Sequence, residues 1–372
     1  MMITGRRIAL ILIAVLVVLC GLAGFGYWAT HDWQAGRIWY KRMKAPNQYV
    51  FDEVPDFLLR TDPARLIADL TPQKIAPLKT RLNTVLWGAP ILPDRLPESV
   101  DSGKEPPALR EIDGADRLER LVIPFELGYT AYAYLLHPKT PNGRAVVYHH
   151  GYAGKVEQSR PLLEALLQQG YLVAAINYAG YGQNLLGMID HPVFGFVNAG
   201  NDRQMHYVTH PLRWYLEPMV VTVNHLQQSG ISDISSIGFS AGGWVTTMVA
   251  AVDNRIRLTV AVASGYPMYI RSANWAVESP LPQMYKPFLD TASYLDTYVL
   301  ASLGQGRQYI QIFNQYDRCC YRNRFAELYA PAVSDAVTRL GDGQFTALID
   351  VSHAEHMVSP WATSEILTAL SE

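Results

Sequence analysis

Three residue types that together can make a nucleophile occur in this 372-residue chain in an informative order. Ser240 lies in "GFSAG", between an apolar run and a helix-like run, and Asp317 ends another apolar run further along. His353 and His356 follow in "VSHAEHM". A serine hydroxyl is a weak nucleophile unless a histidine takes its proton and a carboxylate orients that histidine. The sequence therefore predicts a Ser–Asp–His catalytic site.

The glycines around Ser240 have a physical role in this interpretation. A serine at the apex of a sharp strand-to-helix turn takes a strained backbone conformation. Gly238 and Gly242 let the strand and helix backbones pass closely, and Gly243 adds clearance. Ser240 would also lie near a helix N-terminus, whose dipole favours a developing oxyanion.

The elements that must position these residues alternate between strands and helices from about residue 120. The predicted strands are 130–138, 144–151, 171–178, 234–240, 258–265, 308–317 and 345–352, and the predicted helices are 159–170, 216–230, 241–252, 323–340 and 360–370. Several of the strands are apolar throughout, as strands covered on both faces are. We therefore predict an α/β fold with a doubly wound, mostly parallel sheet, whose chemistry lies at the carboxyl ends of the strands.

One connection in this pattern is unusually long. About forty residues, rich in proline and aromatic residues, separate the strand at 258–265 from the strand at 308–317. Excursions of this size are typical of lids over active sites. We expect a cap insertion at about 265–305.

From about residue 120 to its end, the chain resembles an α/β-hydrolase of the serine esterase and lipase type. "GFSAG" matches the nucleophile elbow of that family, and "YHHGYAG" (148–154) resembles its oxyanion loop. "NYAGYGQN" (177–184) resembles the turn after its fourth strand. The resemblance implies acyl transfer to water through an acyl-enzyme.

The resemblance also implies a role for each site residue. Ser240 would attack the carbonyl, a histidine would take the serine proton, and Asp317 would hold the imidazole. The backbone N–H groups of Tyr152 and Ala241 would form the oxyanion hole.

Two histidines compete for the role of base. "AEHM" resembles the family pattern of a small residue, glycine and histidine, with Glu355 in place of the glycine, which favours His356. His353 lies nearer the strand end and stays an alternative. His150 is expected to brace the oxyanion loop.

The N-terminal segment is apolar enough to cross a membrane. No charged residue occurs from Ile8 to Thr30, and a helix of that length spans a bilayer core. Tyr27, Trp28 and Trp33 follow as an aromatic belt would. We predict a single-pass anchor at 1–30, with a cleaved signal peptide or a buried core helix as alternatives.

The remaining organisation follows from charge and proline content. Arg6 and Arg7 precede the span, whereas Arg37, Lys41, Arg42 and Lys44 follow it, so the positive-inside rule alone does not fix the orientation. Short basic tails before a first span usually stay inside, which favours a catalytic domain on the periplasmic or extracellular side. Residues 31–115 are rich in proline and are expected to form a linker and wrapping segment. Residues 116–372 are expected to form the catalytic domain.

Composition excludes several other classes of function. The formal net charge is −2 and basic residues form no stripe, which argues against a nucleic-acid partner. No cofactor motif occurs, and His206 and His210 lack the glutamate of a HExxH zinc site, so no metal is expected. Cys319 and Cys320 are interpreted as packing residues.

The sequence thus predicts a membrane-anchored serine hydrolase that acts on a small-molecule or lipid ester, including acylated envelope material. A peptidase or a transacylase would use the same residues. A non-catalytic, membrane-tethered binding protein of the same fold is the alternative from another class.

Overall fold

The structure is a computed structural model that describes residues 5–31, 43, 54–67, 70–271 and 280–372. It contains two compact units, Met1–Val50 and Phe51–Glu372. The described residues do not include 32–42, 44–53 and 68–69 of the predicted linker, nor 272–279 of the predicted cap. Trp33, which we predicted to belong to an aromatic belt, therefore also lies outside them.

The first unit contains one long helix, α1 (Gly5–His31). Its stretch Leu10–Ala29 has 20 residues with a mean hydropathy of 2.6, and none of that stretch is buried. By length and composition this helix could cross a membrane, and an N-terminal signal sequence has the same properties.

The second unit is built on a nine-stranded sheet in the order β1-β2-β3-β5-β4-β8-β9-β10-β11, with β6 and β7 as a separate hairpin. The strands are β1 (Ser99–Asp101), β2 (Ala115–Pro124), β3 (Thr130–Pro138), β4 (Ala145–His149), β5 (Leu172–Ile176), β6 (Met188–His191), β7 (Gly195–Asn198), β8 (Ile234–Phe239), β9 (Ile256–Val262), β10 (Gln308–Asn314) and β11 (Gln344–Asp350).

Helices cover both faces of this sheet. They are α2 (Pro63–Leu66), α3 (Pro72–Trp87), α4 (Pro107–Arg110), α5 (Arg160–Gln168), α6 (Arg213–Gln228), α7 (Ala241–Val252), α8 (Met268–Arg271), α9 (Lys286–Leu289), α10 (Tyr294–Ser302), α11 (Ala330–Leu340) and α12 (Pro360–Ser371). Two hydrophobic cores follow, one on each face of the sheet.

The sheet confirms the predicted doubly wound, mostly parallel architecture. β5, β4, β8, β9, β10 and β11 are parallel neighbours, and β1, β2 and β3 form an antiparallel edge. The chain runs from β4 to β5 on one side and later returns to β8 on the other. The carboxyl ends of β4 and β8 therefore form the switch point, where sheets of this type place their sites.

Helix α7 is central because it begins at Ser240 and is buried along its whole length. It packs against β8 and β9 on one side and against α6 and α10 on the other. Helix α10 belongs to the predicted cap, so the second half of that insertion forms part of the layered core. Its start is fixed by a capping box in which Ser293 and Asp296 bond each other's backbone N–H groups.

Helix α3 shows how the predicted wrapping segment joins the second unit. Leu78, Leu82 and Leu86 are buried at a spacing of four residues, which places them on one helical face. That face packs against α6 and α7. The domain boundaries predicted at 30/31 and 115/116 stay predictions.

The structure differs from the sequence prediction in some elements. The sequence did not predict the β6–β7 hairpin or strands β1 and β2. β10 ends at Asn314, so Asp317 lies in the following turn. The helix predicted at 323–340 begins only at Ala330, after a 3-10 turn at Phe325–Leu328, because Pro331 suits a first helical turn and not a helix interior.

Candidate active site

Ser240 occupies a strained turn between β8 and α7. Its backbone has φ 56° and ψ −127°, a conformation that non-glycine residues rarely adopt. A hydrogen bond from its N–H to the Val262 carbonyl, at 2.8 Å, ties the turn to the neighbouring strand β9. The turn places Ser240 at the carboxyl edge of the sheet, and strain at such positions is typical of functional sites.

The glycines flanking Ser240 are required by close backbone contacts. A Cβ atom on Gly242 would lie 2.0 Å from the carbonyl oxygen of His149, and a Cβ atom on Gly238 would lie 2.3 Å from the carbonyl oxygen of Gly242. Both distances are far below van der Waals contact, and the obstructing atoms are backbone. The predicted packing role of these glycines has this direct physical basis.

The structure brings His356 and Asp317 together. His356 Nδ1 lies 2.7 Å from Asp317 Oδ2, and the Asp317 side chain is buried. The His356 ring also packs against Phe239, the residue before Ser240, with ring centroids 4.6 Å apart. The hydrogen bonds of the described residues do not include one from Ser240 Oγ to His356. Catalytic hydrogen bonds are often loose before substrate binds.

Two backbone amides hold the other oxygen of the Asp317 carboxylate. Asp317 Oδ1 accepts hydrogen bonds from the N–H groups of Cys319, at 2.7 Å, and Cys320, at 3.0 Å. These bonds fix the carboxylate so that Oδ2 faces the imidazole.

His353 contacts a different carboxylate, that of Asp350. Its Nε2 lies 3.1 Å from Asp350 Oδ2, and its Nδ1 accepts the Glu355 N–H at 3.2 Å. Burial alone would raise the pKa of Asp350, but hydrogen bonds from His353, Ser352 and Ser359 outweigh it and lower that pKa below its ordinary value. Both nitrogens of His353 are thus used for structure.

The loop that carries His356 is fastened to the turn that carries Asp317. Arg318 Nη1 lies 3.3 Å from Glu355 Oε1, and the Arg318 N–H donates to the Ala354 carbonyl at 3.2 Å. Asn314 Nδ2 donates to the Glu355 carbonyl at 3.0 Å. Glu355, the residue that departs from the family's glycine, therefore has a partner on the opposite loop.

The loop after β4 passes directly against the turn at Ser240. A Cβ atom on Gly151 would lie 2.6 Å from Ser240 Cβ and 3.2 Å from the Ala241 nitrogen. Tyr152 follows Gly151 at once, so its N–H belongs to the same short loop as the contact with Ala241. This close approach is what an oxyanion hole built from these two amides requires.

Two histidines brace this loop. Burial lowers the pKa of His149 to about 4, so its neutral ring donates from Nδ1 to the His150 carbonyl at 2.9 Å. His150 Nδ1 lies 3.3 Å from the Gly151 carbonyl. The predicted bracing by His150 is thus shared with His149.

Comparison with known proteins agrees with this geometry. A family model described as "alpha/beta hydrolase fold" matches residues 144–284. Among solved structures, Methylesterase BT1017 has a TM-score of 0.59 at 13% identity, covering 83% of this chain and 67% of that chain. No curated protein sequence matches this chain.

Two acetyl xylan esterases are similar over nearly their whole length. The enzyme from Paenibacillus sp. R4 has a TM-score of 0.50 at 15% identity, covering 89% of this chain and 98% of its own. Acetyl xylan esterase 1 from Thermoanaerobacterium sp. JW/SL YS485 has a TM-score of 0.51 at 12% identity, covering 86% and 99%. This chain has the α/β-hydrolase fold. At such low identity the structural similarity establishes the fold and leaves the activity to the site.

Cys319 and Cys320 form a disulfide in the structure, so the expectation of two packing thiols is wrong. The turn after Asp317 brings the two adjacent side chains together. Their sulfur atoms and a ring nitrogen of His356 lie within 4.8 Å of one another, a spacing suited to a metal ion. Joined in a disulfide, however, the sulfur atoms are not thiolate ligands.

His206 and His210 do not share a helical face. His206 ends a 3-10 turn at Arg203–His206, and His210 lies in a later turn beside Gly88. Their i, i+4 spacing therefore does not place the two imidazoles on one helical face, as a helical metal site would require.

An apolar cavity of about 410 Å³ is lined by residues of the predicted wrapping segment and of the predicted cap. Leu66 comes from the predicted wrapping segment, and the other lining residues come from the predicted cap, among them Met268, Tyr269 and Leu295. A second cavity, of about 610 Å³, lies at the opposite edge of the sheet around His137 and Arg144.

Sequence reasoning missed several residues that hold the site. Arg318 and Asn314 secure the His356 loop, and the backbone amides of Cys319 and Cys320 orient Asp317. Backbone amides carry no residue-type signal. Arg318 had one usable signal, since a basic residue directly after Asp317 could pair with the unusual Glu355.

Proposed function

We propose that this chain is a serine hydrolase that cleaves carboxylic esters through an acyl-enzyme. Ser240 is the nucleophile, His356 the general base and Asp317 the acid that orients the imidazole. The single observation that carries the proposal is the 2.7 Å contact between His356 and Asp317 at the sheet edge where Ser240 takes its strained turn. The three similar structures named above are a methylesterase and two acetyl xylan esterases, which agrees with ester hydrolysis.

The proposed reaction gives each of these groups one role. His356 Nε2 takes the Ser240 proton as Oγ attacks the ester carbonyl, and Asp317 stabilises the resulting imidazolium. The N–H groups of Tyr152 and Ala241 bind the oxyanion. The imidazolium then protonates the leaving alcohol, and a water molecule activated by the same histidine releases the acid.

The setting of the enzyme is part of the proposal. We assign α1 as a single-span anchor and place Phe51–Glu372 on the periplasmic or extracellular side. The uncharged stretch Leu10–Ala29 and its hydropathy support the anchor. The two arginines before it support the orientation.

Hydrolysis of p-nitrophenyl esters from acetate to palmitate tests the activity, with the full chain in detergent micelles. We expect turnover that Ser240→Ala and His356→Ala abolish. The preferred chain length measures the acyl pocket. Folded wild-type protein that turns over none of these esters would contradict ester hydrolysis and favour amides or a binding role.

A further inference from the structure

The hairpin after β5 exposes large apolar side chains to solvent. We define the apolar hairpin as residues 185–198, which include β6 and β7. Five of its large hydrophobic side chains are exposed: Leu185, Met188, Val193, Phe194 and Phe196. Val193 at 76% and Phe196 at 74% are the most exposed large hydrophobic residues in the part of the chain that the structure describes. Clusters of this kind mark interaction sites.

The apolar hairpin lies at the edge of the sheet that carries Ser240. It follows the carboxyl end of β5, and β6 packs against the turn Glu126–Gly128 that joins β2 to β3. Because β3 is antiparallel to β5, that turn lies at the carboxyl end of β5. Asn184, at the base of the hairpin, accepts the Tyr132 N–H on β3 at 2.8 Å and fastens it there.

His191 fixes the conformation of the hairpin tip. Its Nδ1 accepts the N–H groups of Val193, at 3.1 Å, and Phe194, at 3.2 Å. Its Nε2 therefore carries the proton and donates to the Tyr207 carbonyl at 3.2 Å. The imidazole also stacks on the Phe194 ring, with centroids 4.5 Å apart. The tip is thus held in an ordered turn with its apolar side chains outward.

The chemistry of the tip suits lipid. From His191 to Asn201 the chain has no aspartate, glutamate, lysine or arginine. Hairpin tips that face water are usually polar. The same chain carries α1, whose stretch Leu10–Ala29 is apolar enough to enter a bilayer. The anchor proposed for α1 would tether the apolar hairpin to the same bilayer.

We propose that the apolar hairpin inserts into the interface of the bilayer that holds α1, so that the edge carrying Ser240 faces the membrane surface. The substrate class is then an ester presented from the membrane, such as an acylated lipid. This assignment of substrate rests on the proposed ester hydrolase function, whereas the insertion itself does not.

Insertion is tested with the full chain in phospholipid nanodiscs. In a Cys20→Ser background, Phe194→Cys is labelled with the environment-sensitive dye NBD, and Gln228→Cys provides an exposed control at the opposite edge of the sheet. The parent without an introduced cysteine measures labelling at Cys319 and Cys320. We expect blue-shifted emission at position 194 and loss of most of it with brominated lipids, with neither change at position 228.

Two results would overturn insertion. One is emission at position 194 that stays typical of water in nanodiscs. The other is blue-shifted emission that brominated lipids do not quench, since this would place a protein surface over the hairpin. Repeating the measurement in Ser240→Ala separates insertion from catalysis, because that variant should give the same quenching whether or not the chain is an esterase.

The substrate assignment is tested with the double variant Phe194→Ser, Phe196→Ser. Both side chains are exposed, so the fold should persist, and turnover of soluble p-nitrophenyl acetate serves as the control. We expect turnover of a p-nitrophenyl palmitate embedded in nanodiscs to fall about tenfold or more, with acetate turnover unchanged. Equal turnover of the embedded ester by both proteins would overturn the membrane-borne substrate.

Discussion

His356 Nδ1 contacts Asp317 Oδ2 at 2.7 Å, whereas His353, three residues earlier, contacts Asp350 at 3.1 Å. The two histidines of one short loop thus pair with two different buried carboxylates. Only His356 also packs against the strand end that precedes Ser240.

Because the two histidines pair with different carboxylates, we expect different effects of His356→Ala and His353→Ala. His356→Ala removes the proposed base and should lower kcat at least about 10³-fold. His353→Ala should leave kcat within about tenfold. It removes one partner of the buried Asp350 carboxylate, which Ser352 and Ser359 still bond, and should cost about 1–3 kcal/mol of unfolding free energy. Rates on p-nitrophenyl acetate and thermal unfolding separate the two. Equal loss of kcat in both variants would contradict the assignment of separate roles to His356 and His353.

The turn after Asp317 predicts that backbone amides, and not sulfur chemistry, orient the acid. Replacing both cysteines by serine keeps the N–H groups that bond Asp317 Oδ1, so activity should stay within about tenfold of wild type. Asp317→Asn should lower kcat by about 10⁴-fold because it favours the wrong imidazole tautomer. If the double serine variant fell as far as Asp317→Asn, the disulfide itself would be needed to orient the acid.

The contact between Gly151 and Ser240 predicts a steric effect on the oxyanion hole. In Gly151→Ala the new Cβ would lie 2.6 Å from Ser240 Cβ, so the loop must shift and carry the Tyr152 amide with it. We expect kcat to fall by about 10²-fold or more. Gly187→Ala is the matched control, because its Cβ would meet no atom within 4 Å. Steady-state measurements of kcat for both variants test this prediction, and an equal kcat in the two would contradict it.

Burial of His149 predicts a pH dependence of stability. Its pKa is lowered to about 4, against an ordinary 6.5, so the folded chain keeps this ring neutral while the unfolded chain takes up a proton below about pH 6.5. Stability should therefore fall between pH 7 and pH 5, by about 2 kcal/mol from this residue. Thermal unfolding of wild type and His149→Gln at both pH values measures the effect. A pH-induced loss as large in His149→Gln as in wild type would rule out His149 as its source.

Much of the sheet followed from the sequence because its strands are buried on both faces and its helices have a clear period. β3 and α7 begin and end where their apolar patterns begin and end. The β6–β7 hairpin was missed because exposed Met188 and Phe196 are as apolar as their inward neighbours Ile189 and Val197, so the alternation that predicts a strand is lost. Hydrophobic patterning assumes that apolar residues are buried, and this hairpin breaks that rule.

The candidate site was likewise predictable from the sequence only in part. The order of Ser240, Asp317 and His356 along the chain could be recognised, since residue type and strand order carry it. The hydrogen bonds from Cys319 and Cys320 to Asp317, and the pairing of His353 with Asp350, depend on turn geometry. Such geometry comes from tertiary packing and has no pattern in the sequence.

Covalent labelling of Ser240 tests the central claim most directly. The full chain in detergent is treated with a fluorophosphonate probe at neutral pH, and the modified peptide is located by mass spectrometry. An activated serine reacts, and an ordinary serine hydroxyl does not. We predict one adduct per chain, on Ser240, which is absent in Ser240→Ala and strongly slowed in His356→Ala. Folded wild-type protein that takes up no probe, or takes it up at another residue, would contradict the assignment of Ser240 as a catalytic nucleophile.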